Sequence, residues 1–381
     1  MTIEQQQPQK PQPQHAQPPV RIGLVGCGVM GRVYLQAAAG QPDLAIVAVA
    51  DVQEAAARAA AAEFSISAWY KSAEAMIDTA DVDAVLLAVP AAFRTRLALY
   101  AFARGKHALL EKPVALSATE TERLLEAADG LVAASCSSRL RFADSAEAVR
   151  RLLEAGTIGA LRTISCRWLL PAKAAPAPDK LPPAWRLSPA LNGGGNLTNL
   201  GTYVLDYMLG VTGWRYTPAQ VSGRVWTLQD MFRHHVPAGS TGETHTAAMI
   251  VCSGDEAGSE RETAPVLLLE QGEYFVGPEE AAWQITGETG TIRFRIVPGL
   301  RNVVTLYRYS EANGVEAETV WSGDETFGEL QRRVLRDFAG AIRERRPPRT
   351  TLRQAWLLQR TIEAVYQASE SGQTVTLHPQ S

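Results

Sequence analysis

The stretch that decides the fold reads Gly26-Cys27-Gly28-Val29-Met30-Gly31. It follows the apolar run 21–25 and opens a segment of helical character. A second apolar run ends in Asp51, about 20 residues further on, as the acid of a dinucleotide-binding unit does. Three glycines alone are weak evidence, but strand, glycine loop, helix, strand and terminal acid in this order are typical of a dinucleotide site.

Each glycine of this loop has its own expected role. Gly26 permits the tight turn, Gly28 lets the backbone approach a pyrophosphate, and Gly31 lets helix and strand pack closely. Val29 and Met30 begin the helix, whose free N–H groups would face the phosphates. We therefore expect all five residues to contact a cofactor.

Asp51 predicts which cofactor is used. A carboxylate there accepts hydrogen bonds from the ribose hydroxyls and repels a 2′-phosphate. The next residues, Val52 and Gln53, add no positive charge. The sequence thus favours NAD, with NADP left open.

Composition restricts the class of protein. A chain of 381 residues with 46% hydrophobic residues has room for two domains. A net charge of -3 without a long basic run argues against binding to nucleic acid. No apolar run reaches the ~18 residues of a membrane span, so no membrane association is predicted. The four scattered cysteines indicate reduced thiols in the cytoplasm. The histidines lack metal-ligand spacing, so no metal is predicted.

Residues 1–20 are rich in Gln and Pro and lack the apolar segment of a secretory signal. This composition predicts an extended or disordered conformation. Two interpretations stay open, a tail without consequence and an arm that lies on a neighbouring subunit.

Residues 21–142 alternate between strand-like and helix-like segments. This alternation predicts a parallel sheet with right-handed crossovers, whose ligands lie at the carboxyl ends of the strands. Val89-Pro90 and Glu111-Lys112 end two of these strands. We expect them to meet the glycine loop and Asp51 in one crevice.

Residues 143–381 have a different character, with a Pro/Ala-rich loop and the triple glycine 193–195. Strand-like runs occur at 161–169, 247–252, 266–270, 282–286 and 291–297. A mostly antiparallel sheet with one face covered by helices is predicted. Residues 327–345 and 352–369 are expected to form two amphipathic helices, which could pack back on the first domain.

Lys112 is the first candidate for chemistry. Pro113 forces the chain out of the sheet after it, so its side chain would lie near a bound nicotinamide. The oxidised ring is cationic and would lower the pKa of the lysine toward the working range, which suits proton transfer. The alternative is a structural ion pair with Glu111 or Asp83.

The second candidate group follows the triple glycine. On a helix, Asn199 and Tyr203 share one face, with Asn196 one turn earlier. Tyr203 could donate or accept a proton, and Asn199 could hold a substrate hydroxyl. The alternative is a buried aromatic side chain beside a helix-start asparagine.

Several motifs together resemble the glucose–fructose oxidoreductase / inositol dehydrogenase / MocA (Gfo/Idh/MocA) family over about residue 20 to the C-terminus. Besides the glycine loop and Asp51, they are Val89-Pro90, Gly105-Lys106-His107, Glu111-Lys112-Pro113, Arg141-Phe142, Trp185-Arg186 and Gly193-Gly194-Gly195. The resemblance implies a Rossmann domain joined to an open-faced, mostly antiparallel sheet domain that mediates homodimer or homotetramer contact.

The resemblance also implies an NAD(P)-dependent oxidoreductase acting on a sugar, cyclitol or diol, with Lys112 as the family's catalytic lysine. Asn199 and Tyr203 stand where the family usually has Asp and His, and Tyr203 is similar to the tyrosine of glucose–fructose oxidoreductase and dihydrodiol dehydrogenase members. Arg94 stands where a His is usual. The expected proton relay is Lys112 with Tyr203.

Two alternatives remain: a non-catalytic NAD(P)-binding regulator, which Asn199 and Arg94 motivate, and an NAD-dependent glycosidase, which the resemblance implies through a side branch of the family. Substrate contacts are expected from Lys112, Asn199 and Tyr203, and also from Arg141, Trp185, Arg186, His234 and His235.

Overall fold

The computed structural model of the protein describes residues 18–254, 264–297 and 299–378, apart from the side chains of residues 137 and 138. Most of the Gln/Pro-rich segment 1–20 lies outside these ranges. The described chain builds one parallel and one mixed sheet, with helices around both.

The first sheet has six strands in the spatial order β3-β2-β1-β4-β5-β6, and all pairings are parallel. The strands are β1 (Val20–Val25), β2 (Leu44–Ala50), β3 (Ala68–Tyr70), β4 (Ala84–Leu87), β5 (His107–Leu110) and β6 (Ala133–Ser135). The order reverses on either side of β1, which creates a crevice at the carboxyl ends of β1 and β4.

The helices that connect these strands are α1 (Val29–Ala38), α2 (Glu54–Glu63), α3 (Ala73–Thr79), α4 (Ala91–Phe102) and α5 (Ala118–Ala127). Ser72 and Ser117 begin α3 and α5 by accepting a hydrogen bond from the backbone N–H three residues later. The predicted doubly wound unit is therefore present.

The second sheet has nine strands in the order β14-β13-β12-β11-β7-β10-β9-β8-β15. The pairing of β7 with β10 is parallel and the others are antiparallel. The strands are β7 (Leu161–Pro171), β8 (Tyr216–Thr227), β9 (Glu243–Gly254), β10 (Val266–Phe275), β11 (Glu280–Gly287), β12 (Gly290–Phe294), β13 (Arg301–Ser310), β14 (Gly314–Asp324) and β15 (Val375–Thr376).

Three long strands of this sheet, β8, β13 and β14, were not among the predicted runs. In β8, Pro218 and Gly223 break the sequence pattern, and the register shifts beside Pro218. β14 lies at the edge and is mostly exposed, so it carries little apolar alternation. Such segments form strands because they pair with neighbouring strands, and the local sequence gives no information about that pairing.

The remaining helices are α6 (Asp144–Glu154), α7 (Pro189–Asn192), α8 (Thr202–Gly210), α9 (Phe327–Glu344) and α10 (Leu352–Ser371). Leu335 and Phe338 of α9 share a core cluster with Tyr34 of α1. α10 contacts both β8 of the second sheet and α5 of the first half of the chain, so it joins the two halves. None of the described helices combines the length and the apolar character needed to cross a membrane.

Candidate active site

The glycine loop has the geometry that a close backbone approach requires. Gly26 has a φ of +95°, and a Cβ built on it would lie 2.5 Å from the carbonyl oxygen of Ala88. A Cβ on Gly31 would overlap the carbonyl of Gly26. A Cβ on Gly28 would meet nothing within 4 Å, because this residue faces the crevice. The loop thus leaves room for a ligand at Gly28.

The first turn of α1 adds free donors to this loop. Gly28 is the N-cap and has no side chain to cover the N–H groups of the first turn. Such groups, together with the helix dipole, favour a phosphate. The residues present therefore fit a dinucleotide pyrophosphate.

Asp51 is held in place by two backbone groups. Its Oδ2 accepts a 2.8 Å hydrogen bond from the N–H of Cys27, and its Oδ1 accepts one of 2.8 Å from the N–H of Gln53. These bonds join the end of β2 to the glycine loop and fix the carboxylate at the crevice. Lys71, a cation that also lines the crevice, is paired with Glu54.

These elements border one cleft with a volume of about 870 Å³. The predicted cofactor residues that line it are Gly26, Gly28, Val29, Met30, Asp51, Val89, Pro90, Glu111 and Lys112. Gly31 lies behind them in the contact of α1 with the loop. The convergence follows from the parallel sheet, because the carboxyl ends of all its strands meet at one edge.

Lys112 extends from the end of β5 to the second half of the chain. Its ammonium Nζ donates to the side-chain Oδ1 of Asn199 at 2.6 Å and to the backbone oxygen of the same residue at 2.8 Å. The alternative ion pairs are not made by this ammonium: Glu111 receives the backbone N–H of Lys112, and Asp83 pairs with Arg21.

Burial lowers the pKa of the Lys112 ammonium to about 7. The carboxylate of Glu111 opposes this shift, whereas the guanidinium groups of Arg139, Arg94 and Arg186 add to it. Because the pKa lies near neutrality, Lys112 can both take and give a proton under ordinary conditions.

Tyr203 lies beside this lysine. The ring centroid is 5.0 Å from the Nζ of Lys112, and only 3% of the residue is exposed. Burial raises the pKa of the Tyr203 hydroxyl far above its ordinary value. The hydroxyl therefore stays protonated, so that it can donate a hydrogen bond, and Lys112 is the group of the two that titrates.

A turn of π-helix, Leu197–Gly201, leads into α8 and places Asn199. The buried carboxylate of Glu243 accepts hydrogen bonds from the N–H groups of Gly195 and Leu197, both 2.8 Å, and from the hydroxyl of Tyr366. A Cβ on Gly195 would overlap the backbone of Glu243. The glycine run thus lets β9 hold the start of this turn, and widened turns of this kind often accompany functional sites.

Arg94, the arginine at the family's usual histidine position, is a buried residue in the wall of the cleft. Its Nη1 donates to the carbonyl of Glu111 at 2.8 Å and also to that of Pro113, and its Nε donates to the carbonyl of Val89 at 2.9 Å. It therefore ties the ends of β4 and β5 together on either side of Lys112.

The predicted substrate residues separate into two groups. Trp185 and Arg186 line the cleft, and Arg186 pairs with Glu273. Arg141 is outside the set that lines the described cleft, because its side chain forms a buried pair with Asp206. His234 and His235 are also outside that set; the ring of His235 packs edge-on against Phe232.

The cleft residues that the sequence prediction missed include Phe93, Arg139, Leu200 and Phe327. Arg139 comes shortly after the end of β6, the last strand of the parallel sheet. The strand-end rule that identified Lys112 also applies there. Phe327 begins α9 and is brought to the cleft by tertiary packing alone.

Comparison with known proteins agrees with this architecture. Residues 20–133 match the family model described as "Oxidoreductase family, NAD-binding Rossmann fold", and residues 146–293 match the "GFO/IDH/MocA C-terminal domain". The rhizopine catabolism protein MocA of Rhizobium meliloti is 31% identical over 71% of this chain and 76% of its own length.

A second relative is dTDP-3,4-didehydro-2,6-dideoxy-alpha-D-glucose 3-reductase of Streptomyces violaceoruber, which is 37% identical over 49% of this chain. That alignment spans about half of the reductase, 52% of its length.

Solved structures with the same fold cover nearly the whole chain. A levoglucosan dehydrogenase in complex with NADH and levoglucosan has a TM-score of 0.80 at 20% identity, over 95% of this chain and all of its own. The aldose-aldose oxidoreductase of Caulobacter crescentus has a TM-score of 0.76 at 20% identity, over 94% of this chain and all of its own.

Proposed function

Because the chain belongs to the Gfo/Idh/MocA family of NAD-binding oxidoreductases, we propose that it oxidises or reduces a carbon of a sugar, cyclitol or diol, with Lys112 and Tyr203 relaying the proton. The observation that carries this proposal is the Lys112 ammonium, held on Asn199 with a pKa near 7 in the wall of the dinucleotide cleft.

The glycine loop and the N-terminus of α1 would hold the pyrophosphate of NAD, and Asp51 the ribose hydroxyls. Val89, Pro90 and Glu111 would border the nicotinamide half. When bound, the cofactor would accept a hydride at its nicotinamide ring as NAD⁺ or supply one as NADH. Asp51 favours NAD over NADP because its negative charge repels a 2′-phosphate.

Side chains of the protein transfer the proton that accompanies the hydride. In the oxidation direction, neutral Lys112 takes the proton of the substrate hydroxyl, either directly or through the hydroxyl of Tyr203. In the reduction direction, the ammonium returns it. Asn199 orients Lys112, because its two oxygens fix the ammonium without adding a charge. Trp185 and Arg186 would border the substrate.

The second sheet is proposed to join two copies of the chain. Its open face has exposed Met249 and Leu268 beside Arg167, which pairs with Glu270 and Glu280. The exposed apolar side chains suit a homo-oligomeric contact, because the buried core of such an interface is mostly apolar. Met249→Glu should dissociate the oligomer in size-exclusion chromatography with light scattering, while an unchanged mass would contradict this contact.

We also propose that the boundary between the two domains lies between residues 142 and 143 and that the protein is cytoplasmic. The four cysteines are all buried and unpaired, which fits a reducing compartment.

The test is the change in reduced-nicotinamide absorbance across a panel of sugars, cyclitols and diols with the wild type and Lys112→Met. Turnover that depends on Lys112 supports the proposal. Tight NAD binding without turnover would indicate a regulator instead. Release of nitrophenol from aryl glycosides without net consumption of cofactor would indicate the glycosidase.

A further inference from the structure

We propose that the substrate carries an anionic group, a carboxylate or a phosphate, which Arg139 binds at the reacting end of the cleft. This inference rests on the proposed oxidoreductase function and names the class of its substrate. It begins from the position of Arg139, which lines the cleft together with Lys112 and Tyr203.

Two aromatic rings hold the guanidinium of Arg139. Its Cζ lies 3.9 Å from the ring centroid of Tyr203 and 4.2 Å from that of Phe327. Such contacts orient the planar group and leave its N–H edge for another partner. Since Lys112 lies over the same Tyr203 ring, Arg139 belongs to the reacting end of the cleft.

The other arginines that line the cleft have their acceptors within the protein. Arg94 donates to backbone carbonyls, Arg96 pairs with Glu74, and Arg186 pairs with Glu273. In the described part of the chain no carboxylate forms an ion pair with Arg139, and its buried Nε has no hydrogen-bond acceptor.

An unpaired cation and an unsatisfied buried N–H both cost stability, so their retention in a cleft indicates a ligand that satisfies them.

The charges around Lys112 lead to the same conclusion. Arg139, Arg94 and Arg186 all act on Lys112 as positive charges, and Glu111 opposes them. The charge of Arg186 is balanced by its pair with Glu273, whereas in the described part of the chain Arg139 has no such carboxylate and Arg94 donates to backbone carbonyls. An oxidised nicotinamide would add one more positive charge. A neutral sugar leaves this excess uncompensated, whereas an anionic substrate complements it.

The shape of the Arg139 guanidinium, like its charge, favours an anionic ligand. A guanidinium presents parallel N–H donors that match two oxygens of a carboxylate or a phosphate. A lysine at this position would offer a point charge without that match. The expected ligand is therefore a sugar acid or a sugar phosphate, with its anionic group next to the carbon that reacts.

The experiment compares matched sets of compounds, each set containing a neutral sugar or cyclitol, its carboxylate analogue and its phosphate ester. Their binding to the enzyme–NADH complex is measured by titration calorimetry, and kcat/KM is measured for those that turn over. We expect an anionic member to bind at least about tenfold tighter than its neutral partner. Comparison of the carboxylate analogue with the phosphate ester in each set identifies which anion is recognised.

Arg139→Met should abolish the advantage of the anion, because methionine keeps the apolar contact with both rings and removes the donors. Arg139→Lys should keep part of it. Arg162→Met, which removes an exposed arginine of β7, is the matched control and should leave the advantage unchanged. Thermal unfolding in the presence of NADH shows whether each variant is folded.

An independent measurement needs only the wild type. Raising the salt concentration should weaken binding of the anionic members and leave that of the neutral ones constant.

Equal binding of neutral and anionic members, no binding of any anion, or an anion advantage that survives Arg139→Met each overturn the inference. Turnover of neutral polyols without an anion preference overturns it while leaving the proposed oxidoreductase. Absence of hydride transfer with every compound overturns the proposed function, and the binding comparison still decides the role of Arg139.

Discussion

The ammonium of Lys112 lies 2.6 Å from the side-chain oxygen of Asn199 and 2.8 Å from its backbone oxygen, across 87 residues of sequence. Both acceptors are neutral, so they orient the ammonium without the charge that an aspartate would supply. Burial then dominates and lowers the pKa of Lys112 to about 7. This single contact joins the cofactor half of the cleft to the substrate half.

Asn199→Asp should raise the pKa of Lys112, because a carboxylate stabilises the ammonium. In the oxidation direction the rate should rise with pH through the pKa of Lys112, near 7 in the wild type, and the midpoint should move upward by about 1–3 units in the variant. The pH profile of kcat/KM measures this shift. Asn313→Asp, in an exposed hairpin, is the control, and an identical midpoint in Asn199→Asp would contradict the assignment.

Tyr203→Phe removes the hydroxyl and keeps the ring under Arg139. If the hydroxyl relays the proton, kcat should fall by about 10²–10⁴-fold. Tyr207→Phe is the matched control, since Tyr207 lies one turn further along α8 and its buried hydroxyl has no partner in the described structure. Steady-state kinetics of both variants decide the question, and equal kcat values would remove Tyr203 from the relay.

Lys112→Met should stabilise the fold while abolishing turnover. The folded pKa of Lys112, about 7, lies below the unfolded value, so the unfolded chain binds more protons between the two. The free energy of unfolding of the wild type therefore rises as pH rises from about 7 to about 10. The wild type is less stable than the variant by the largest amount below about pH 7.

Urea unfolding at about pH 6 and about pH 10 measures that difference in unfolding free energy, which we expect to be about 4 kcal/mol larger at the lower pH, because about three pKa units at about 1.4 kcal/mol each separate the two conditions. Lys180→Met, at an exposed position, should show no such trend. A constant difference between Lys112→Met and the wild type at both pH values would mean that the lysine is not neutral in the fold.

Asp51→Asn should weaken the preference for NAD over NADP. Loss of the negative charge removes the repulsion of a 2′-phosphate, and the ratio of kcat/KM for NADP to that for NAD should rise by about tenfold, equivalent to about 1.4 kcal/mol. Asp129→Asn, in an exposed loop, serves as the control. If the ratio stays constant, Asp51 does not select the cofactor.

Local sequence predicts that the candidate cofactor residues converge, and nearly all of them line one cleft of the structure. The glycine loop, Asp51 and the strand ends at Pro90 and Lys112 follow from periodicity, because parallel strands of one sheet end at the same edge. Their convergence needs no information about distant contacts.

The substrate half depends on residues far apart in the chain. Arg141 carries a family motif but forms a buried pair with Asp206, and Arg139, two positions earlier, faces the cleft instead. No spacing rule separates these two arginines, since each is directed by the side chains packed around it.

Fold class, cofactor type and the candidate lysine thus come from the amino-acid order alone, because they depend on local periodicity and on short loops. Tertiary structure decided that Lys112 meets Asn199, that Tyr203 and Phe327 enclose Arg139, and that the lysine has a pKa near 7. The burial and the charges around a residue are contributed by segments that are distant in sequence. They can therefore be determined only from the folded structure.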